Sequence, residues 1–230
     1  NGLGDRFIGL IRQDWPLMIA AGEVTRYVGD VLAGVVAETE AIARAAAALI
    51  RVEYEVLEPV TDMHKALEPG APVVNHTSPN GNLLSRPAFT RVDMAAALAE
   101  TAYTATGVFQ TQRIEHGYME PECAIAVPNY ELRITNPERT TDDGRQTTDP
   151  LATDHSPLPT PHSPLPTAEV IHVLSQSQGV YDDRIQIAKL LGLPLEAVRV
   201  TLVPNGGGFG GKEDLSVQGH AAVMAHLTGR

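Results

Sequence analysis

The chain has a single cysteine, Cys123, among its 230 residues. One thiol cannot form an intramolecular disulfide, and it cannot supply the four thiolates of an ordinary iron–sulfur cluster. Nothing in the sequence therefore demands an oxidising compartment. We expect a cytoplasmic protein without a cluster of its own.

Basic residues are also scarce, with 17 Lys and Arg against 28 Asp and Glu and a formal net charge of -11. Nucleic-acid binding depends on clustered Lys and Arg that neutralise phosphates. No basic stripe is visible in the sequence. We therefore expect no nucleic-acid partner.

Long apolar runs are absent as well. The longest, residues 41–50, is interrupted by Arg44 and falls far short of the roughly 20 residues that a spanning helix needs. No signal segment or initiator Met opens the chain, and residues 221–230 form a helical pattern with no tail after it. The sequence predicts no membrane partner, and we expect a fragment or one piece of a split protein.

The first third of the chain has the pattern of a β-α-β unit. Residues 31–38 form a β-branched apolar run, and Thr39 is placed to cap a helix whose apolar face repeats at i, i+3, i+4 and i+7 from Ile42. Residues 51–57 then alternate apolar and charged side chains, as a half-buried strand does. Residues 58–86 are rich in Pro, Asn, Gly and Ser and are typical of a surface linker.

These patterns divide the chain into a first domain over 1–65, a linker over 66–90 and a second domain over 91–230. Residues 91–112 alternate as long strands do, and 122–128 is a short strand pattern that ends at a proline. Further predicted elements are a strand at 170–174, a helix at 182–191 whose inward residues are Ile187, Ala188, Leu190 and Leu191, a strand at 198–203 and a helix at 215–227. The predicted fold class is α/β, or α+β, with mixed sheets.

A proline-rich insertion at 136–167 interrupts the second domain. It contains the tandem copies 155–160 and 162–167, each reading His-Ser-Pro-Leu-Pro-Thr. Proline at this spacing forbids both helix and sheet and predicts an extended segment. A surface loop is the favoured interpretation, and a ligand for a proline-binding groove is the alternative.

The most informative motif is the run Gly206-Gly207-Gly208-Phe209-Gly210-Gly211-Lys212-Glu213. It satisfies the G-x-G-x-x-G spacing of a dinucleotide site, but no acidic residue follows at the distance that would hold a ribose. It also satisfies G-x-x-x-x-G-K, but Glu213 stands where a phosphate loop needs Ser or Thr. Glycines that permit positive φ and a close backbone approach suit an anionic oxo or sulfido ligand better.

The whole run resembles the molybdenum-cofactor loop of the xanthine dehydrogenase/aldehyde oxidase family. Residues 22–62, with Tyr27-Val28-Gly29-Asp30-Val31, resemble the family's α/β hammerhead domain, and Glu115-His116-Gly117-Tyr118-Met119-Glu120-Pro121 resembles the segment that opens its molybdopterin-binding domain. Ser177-Gln178 resembles a Ser/Thr-Gln strand end of the same domain. The resemblance implies a hammerhead domain followed by the first part of a molybdopterin-binding domain.

The resemblance also implies roles for individual residues. The residues it assigns to the cofactor are Gly207, Gly208, Phe209, Gly210, Gly211 and Gln178. It places the Phe209 and Gly210 backbone around the molybdenum and Glu213 on the substrate side. The general base of the family is a glutamate far towards the C-terminus and is not in this chain. For His116 and Glu120, a buried polar pair that supports the loop is favoured over direct chemistry.

The implied activity is hydroxylation of a heterocycle, xanthine-like or otherwise, or of an aldehyde, with water as the oxygen source. The implied cofactor is molybdenum-molybdopterin, with or without a cytosine nucleotide, and the implied partners are the C-terminal half of the subunit and iron–sulfur and flavin (FAD) subunits. Ile114 stands where xanthine-oxidising members carry a glutamine, which puts purine specificity in doubt. The alternatives are a non-catalytic remnant that lacks the cofactor and, more weakly, a nucleotide-binding domain.

Overall fold

The computed structural model describes residues 3–128 and 171–229. The proline-rich insertion predicted at 136–167 lies outside these residues. The chain divides into two compact units. The loop-rich unit comprises Phe7–Glu120 and Gly206–Gly211, and the sheet unit comprises the described parts of Asn1–Arg6, Pro121–Asn205 and Lys212–Arg230.

Regular structure is sparse in the loop-rich unit. Strands β1 (Phe7–Ile8) and β2 (Trp15–Pro16) form a short antiparallel pair, and helices α1 (Glu40–Ala47) and α2 (Met94–Ala99) follow. A turn of 3₁₀ helix covers Lys65–Leu67. The large aliphatic side chains of this unit that are buried are Ile8, Leu17 and Ile19.

Side-chain-to-backbone hydrogen bonds organise the loops of this unit. Asp30 accepts from the Trp15 indole N–H at 3.1 Å and from the backbone N–H of Arg26 at 2.5 Å. Asn82 accepts from the N–H of Val74 at 2.8 Å and donates to the carbonyls of Ala66 and Pro72 at 2.9 and 2.8 Å. Polar contacts of this kind hold loops in place without a large apolar core.

The β-α-β prediction for residues 31–57 was right only for the helix. Thr39 caps α1 by accepting from the N–H of Ile42 at 3.2 Å, as predicted. Residues 31–38 and 51–57 form no strand. A strand exists only where a neighbouring strand pairs with it, and the alternating apolar side chains of 51–57 remain exposed, with Val56 88% accessible.

The long strands predicted over 91–112 were also wrong. Residues 94–99 read Met-Ala-Ala-Ala-Leu-Ala and form α2 instead, and 101–112 form no regular element. Alanine is the strongest helix former, and the Asp93 carboxylate caps the helix by accepting from the N–H groups of Ala95 and Ala96. Local helix propensity outweighs a weak alternation here.

The sheet unit contains a three-stranded mixed sheet in the order β3-β4-β5. Strand β3 (Ala124–Pro128) pairs antiparallel with β4 (Ile171–Ser175), and β4 pairs parallel with β5 (Val198–Leu202). Helix α3 (Val180–Leu191) and a 3₁₀ turn (Leu195–Ala197) connect β4 to β5, and α4 (Gln218–Thr228) follows. The predicted α/β class is confirmed.

All the elements predicted for the described part of this unit are present, with ends shifted by up to three residues. Helix α3 ends at Gly192, whose φ of 65° is the left-handed conformation that favours glycine. The core consists of strands β4 and β5 and the inward faces of the helices. Its most buried aliphatic residues are Ile171, Val173, Ile187, Leu190, Leu191, Val198, Leu215 and Ala222.

The helices in the described part of the chain are all too short or too polar to cross a membrane. The division into domains at 1–65, 66–90 and 91–230 stays a prediction.

Candidate functional site

The glycine loop, residues 206–211, has an unusual backbone. Gly207 and Gly210 have φ of 100° and 89°, and Phe209 between them has φ of 54°. Among the described residues, Phe209 is the one non-glycine residue with positive φ. A side chain in this conformation costs roughly 1–2 kcal/mol, and such strain persists where the surrounding structure or a ligand requires it.

The same loop contains backbone donors that bond to nothing in the described chain. Gly211 donates to the carbonyl of Gly208 at 2.8 Å and closes the turn. The N–H groups of Gly208 and Phe209 have no hydrogen-bond partner among residues 3–128 and 171–229, although Gly208 is buried. Buried N–H groups are nearly always paired, so the Gly208 donor in particular is suited to an acceptor from outside the described residues.

An anionic group fits these donors. Successive N–H groups in a backbone that switches to positive φ form a concave site for an anion. Space for a ligand exists beside Gly210, where an added Cβ would meet no atom within 4 Å. The residues present thus match an anionic cofactor held by the main chain.

Residues 116–120 contact both ends of the glycine loop. The Glu120 carboxylate accepts from the N–H of Gly206. At the other end, a Cβ added to Gly211 would lie 2.8 Å from the Tyr118 ring and 2.9 Å from the His116 ring. A Cβ added to Gly206 would lie 2.9 Å from Met119 Cβ, so a side chain at Gly206 or Gly211 would require residues 116–120 to shift.

This geometry agrees with a supporting role for Glu120 but corrects the prediction of a buried pair with His116. The His116 side chain is 45% exposed, and its nearest carboxylate is that of Glu115, at 3.9 Å. The His116 and Tyr118 rings stack with centroids 6.3 Å apart. His116 therefore packs beside the loop without forming the predicted pair.

In the sheet unit, Gln178 and Lys212 are joined by two hydrogen bonds, which we call the Gln178 clamp. The N–H of Gln178 donates to the Lys212 carbonyl at 2.7 Å, and the Lys212 N–H donates to Gln178 Oε1 at 3.2 Å. The amide oxygen of Gln178 therefore faces Lys212, and its NH₂ group faces away. Gln178 is exposed, whereas Lys212 is fully buried.

Glu213 follows the clamp directly. It is exposed, and its carboxylate makes no hydrogen bond or ion pair with any other described residue. An ionised carboxylate is purely an acceptor, so Glu213 is available to an N–H or O–H donor from outside the chain.

A cluster of buried polar residues lies behind the clamp and was missed by the sequence analysis. Its members are Ser175, Ser177, Asp183 and Gln218, each at most 1% exposed. Burial raises the pKa of Asp183 to about 6, with the Ser177 and Ser175 hydroxyls acting against this rise and the Glu122 and Asp182 carboxylates adding to it. A signal was present, because Asp183 lies four residues before Ile187 on the predicted inward helical face.

No group of three or more His, Cys, Asp and Glu side chains in the described ranges is arranged to hold a metal ion. The functional features that the structure does show are therefore the main-chain donors of the glycine loop, the Gln178 clamp and the Glu213 carboxylate.

Comparison with known families assigns two parts of the chain. Residues 6–58 match the α/β hammerhead domain of aldehyde oxidase and xanthine dehydrogenase, and residues 161–230 match the molybdopterin cofactor-binding domain. The second match contains Gln178, the glycine loop and Glu213. Together the two matches cover just over half of the chain.

Similar proteins match over nearly all of the chain. A probable xanthine dehydrogenase subunit of Bacillus subtilis is 32% identical over 96% of this chain and 24% of its own length. The nicotinate dehydrogenase large molybdopterin subunit of Eubacterium barkeri is 28% identical over 98% of this chain and 43% of its own. The xanthine dehydrogenase molybdenum-binding subunit of Escherichia coli O157:H7 is 27% identical over 89% of this chain and 22% of its own length.

The chain thus spans less than half the length of each of these relatives. The match runs through both the hammerhead and the cofactor-binding segments and agrees with the motif resemblance of the glycine loop. The chain belongs to the xanthine dehydrogenase/aldehyde oxidase family, as part of its molybdenum-cofactor-binding subunit.

Proposed function

We propose that this chain contributes the first part of the molybdopterin site of a molybdenum hydroxylase that oxidises a heterocycle or an aldehyde with water as the oxygen source. The N–H groups of Gly208 and Phe209 are the observation that carries the proposal. Neither donates to a described residue, so both are available to an anionic group. When bound, the cofactor would supply the two-electron oxidation. The protein would supply position and electrostatics.

The cofactor-binding residues in this proposal are Gly207, Gly208, Phe209, Gly210, Gly211 and Gln178. The loop backbone would donate to the anionic part of the cofactor, with Phe209 and Gly210 nearest the molybdenum. Because Gln178 Oε1 faces Lys212, its NH₂ group is the end that would donate to the cofactor. A preset amide needs no reorientation when the cofactor binds, which lowers the entropic cost of binding.

Glu213 would face the substrate. Its exposed carboxylate would accept a hydrogen bond from a ring N–H and so hold a nitrogen heterocycle in a fixed orientation. Two of the relatives are named for xanthine and nicotinate, both nitrogen heterocycles. The general base would come from the remaining part of the longer protein, and iron–sulfur and flavin partners would accept the electrons.

A matched pair of glycine variants tests the proposal in the full-length protein that carries this chain. Gly210 and Gly70 have φ of 89° and 86°, and an added Cβ would meet no atom within 4 Å at either site. Gly210→Ala and Gly70→Ala therefore introduce the same backbone strain into open space. Only Gly210 lies in the glycine loop, so only Gly210→Ala should place its methyl group where the cofactor binds.

We expect the wild type and Gly70→Ala to copurify with molybdenum and Gly210→Ala to lose most of it. The two variants should have similar melting temperatures. Metal analysis and fluorescence of the oxidised pterin measure the loss. A wild-type protein without molybdenum would leave the alternative of a non-catalytic remnant. Equal molybdenum in both variants would contradict the assignment of the loop.

A further inference from the structure

The buried polar cluster behind the Gln178 clamp is connected by a continuous chain of hydrogen bonds. The Ser175 hydroxyl donates to Asp183 Oδ2 at 3.3 Å and accepts from Gln218 Nε2 at 3.1 Å. Gln218 Nε2 also donates to Glu122 Oε1 at 2.6 Å. These hydrogen bonds thus connect α3, the end of β4, the start of α4 and Glu122, which lies two residues before β3.

Asp183 is the acceptor on which this chain of hydrogen bonds ends. A serine hydroxyl has one proton to donate, and Ser175 already accepts from Gln218 and from the N–H of Ser177 at 3.2 Å. Its proton must therefore go to Asp183. The Ser177 hydroxyl lies near the same carboxylate and lowers its pKa. The one carboxylate thus interacts with both serines.

The two serines fix the backbone on which Gln178 sits. Burial alternates along this strand end, with Ser175 and Ser177 fully buried and Gln178 exposed. On the far side of Gln178, the N–H of Gly179 donates to the Ser177 hydroxyl at 3.3 Å and its carbonyl accepts from the N–H of Asp183 at 2.9 Å. Gln178 thus lies between Ser177, which is near the Asp183 carboxylate, and Gly179, which bonds to the Asp183 backbone.

Packing alone does not account for a carboxylate at this position. Asp183 is 0% exposed, and its Oδ1 atom has no hydrogen-bond partner among the described residues. A buried carboxylate with an unsatisfied oxygen is costly, and an apolar residue of similar size would fill the same space without that cost. Groups retained at such a cost are concentrated at functional sites.

We propose that Asp183 is a positioning residue, which orients Gln178 through Ser175 and Ser177 so that the Gln178 clamp is preformed before the cofactor binds. Both hydrogen bonds of the clamp join groups of this chain, as preorganisation requires. The importance of a preformed clamp for cofactor binding rests on the proposed cofactor role of Gln178. The effect of Asp183 on the clamp does not depend on that role and can be measured separately.

The test compares Asp183→Leu, which removes every acceptor, with Asp183→Asn, which keeps one carbonyl oxygen for the serine hydroxyls. Residue-resolved hydrogen exchange of the cofactor-free, full-length protein reports on the N–H groups of Gln178 and Lys212, which both lie in the clamp. The N–H group of Val173, in the central strand β4, reports on global opening. Asp182→Asn, an exposed neighbour in the same turn, removes the same charge as a control.

We expect Asp183→Leu to speed exchange at the two clamp N–H groups by about tenfold or more while the sheet changes by less than about threefold. Asp182→Asn should keep the wild-type rates, and Asp183→Asn should not speed exchange at the clamp relative to the sheet. Equal acceleration of clamp and sheet by Asp183→Leu, or unchanged clamp rates, would overturn the inference. If Asp183→Leu does not fold, Ser177→Ala breaks the same link on the clamp side and carries the same two expectations.

Molybdenum content separates this inference from the proposed function. If substitution of Asp183 changes exchange at the clamp in a protein that does not bind molybdenum, the positioning link is supported and only the cofactor role is contradicted. If the protein binds molybdenum but substitution of Asp183 leaves exchange at the clamp unchanged, the positioning link is contradicted and the cofactor role is supported. In a protein that binds molybdenum, Asp183→Leu should release it several times faster than Asp183→Asn.

Discussion

The two units of this chain are held together by different forces. The sheet unit buries a set of aliphatic side chains between strands β4 and β5 and helices α3 and α4, including Val173, Ile187 and Ala222 at 0% exposure. The loop-rich unit buries only a few, and α1 has no buried residue at all. Burial of apolar area is the main favourable term in folding, so the difference predicts unequal stability.

The proposed cofactor-binding groups are likewise held in different ways in the two units. The Gln178 clamp rests on the packed sheet, whereas the glycine loop is held by contacts with residues 116–120 and by its own turn. Functional groups on rigid elements are placed more accurately than groups on loops. We therefore expect the clamp to be preformed and the glycine loop to depend more on its ligand.

The largest expected effect comes from truncating matched isoleucines in the two units. Ile187→Ala removes a side chain that is 0% exposed, whereas Ile42→Ala acts on one that is 52% exposed. We expect Ile187→Ala to lower the free energy of unfolding by about 2–5 kcal/mol and Ile42→Ala by less than about 0.5 kcal/mol. Urea unfolding measures both, and comparable losses would show that α1 is packed in solution.

The next effect concerns Asp183 and its pH dependence. Its pKa rises from 3.8 to about 6 in the folded protein because of burial, so the folded state binds this proton more tightly than the unfolded state does. The resulting stability is fully present below pH 3.8 and is lost as the pH rises through about 6. About two pKa units, at roughly 1.36 kcal/mol each, give a change of order 3 kcal/mol.

Asp183→Asn should remove this dependence and raise the free energy of unfolding at pH 7 by about 1–3 kcal/mol. Burial and Arg199 lower the pKa of His172, which acts in the opposite direction: its contribution to stability is present above the unfolded pKa of 6.5 and is lost as the pH falls through the lowered folded pKa. The difference between variant and wild type isolates Asp183. A variant that is less stable at pH 7 would show that ionised Asp183 stabilises the fold instead.

The sequence predicted the sheet unit well and the loop-rich unit poorly, for one physical reason. In 182–191 and 198–203 the apolar residues that repeat along the sequence are mostly the ones buried in the structure, so the predicted helix and strand form. In 51–57 the alternation is present, but no strand lies beside it, and a strand cannot form alone. Over 94–99, local alanine propensity and the Asp93 cap decided the outcome.

The candidate site divides in the same way. The glycine loop could be predicted from sequence because its eight residues together resemble one family motif, and the positive φ values of Gly207 and Gly210 follow from what glycine tolerates easily. The positive φ of Phe209 could not be predicted, since a bulky residue disfavours it. The Asp183 cluster was not predicted because the inward face of the helix was defined by its apolar residues alone, although helical spacing places Asp183 on that face.

The smallest effect tests the helix that has no core beneath it. Thr39 caps α1 with its hydroxyl, and Thr39→Ser keeps an acceptor that Thr39→Ala removes. Loss of an N-cap costs about 1 kcal/mol. Because no residue of α1 is buried, this loss should remain local. Exchange of the Ile42 N–H should speed up by about fivefold in Thr39→Ala and little in Thr39→Ser, with unchanged exchange at Val173 in the sheet. If Thr39→Ala also accelerates exchange at Val173, the two units unfold together and their stabilities are coupled.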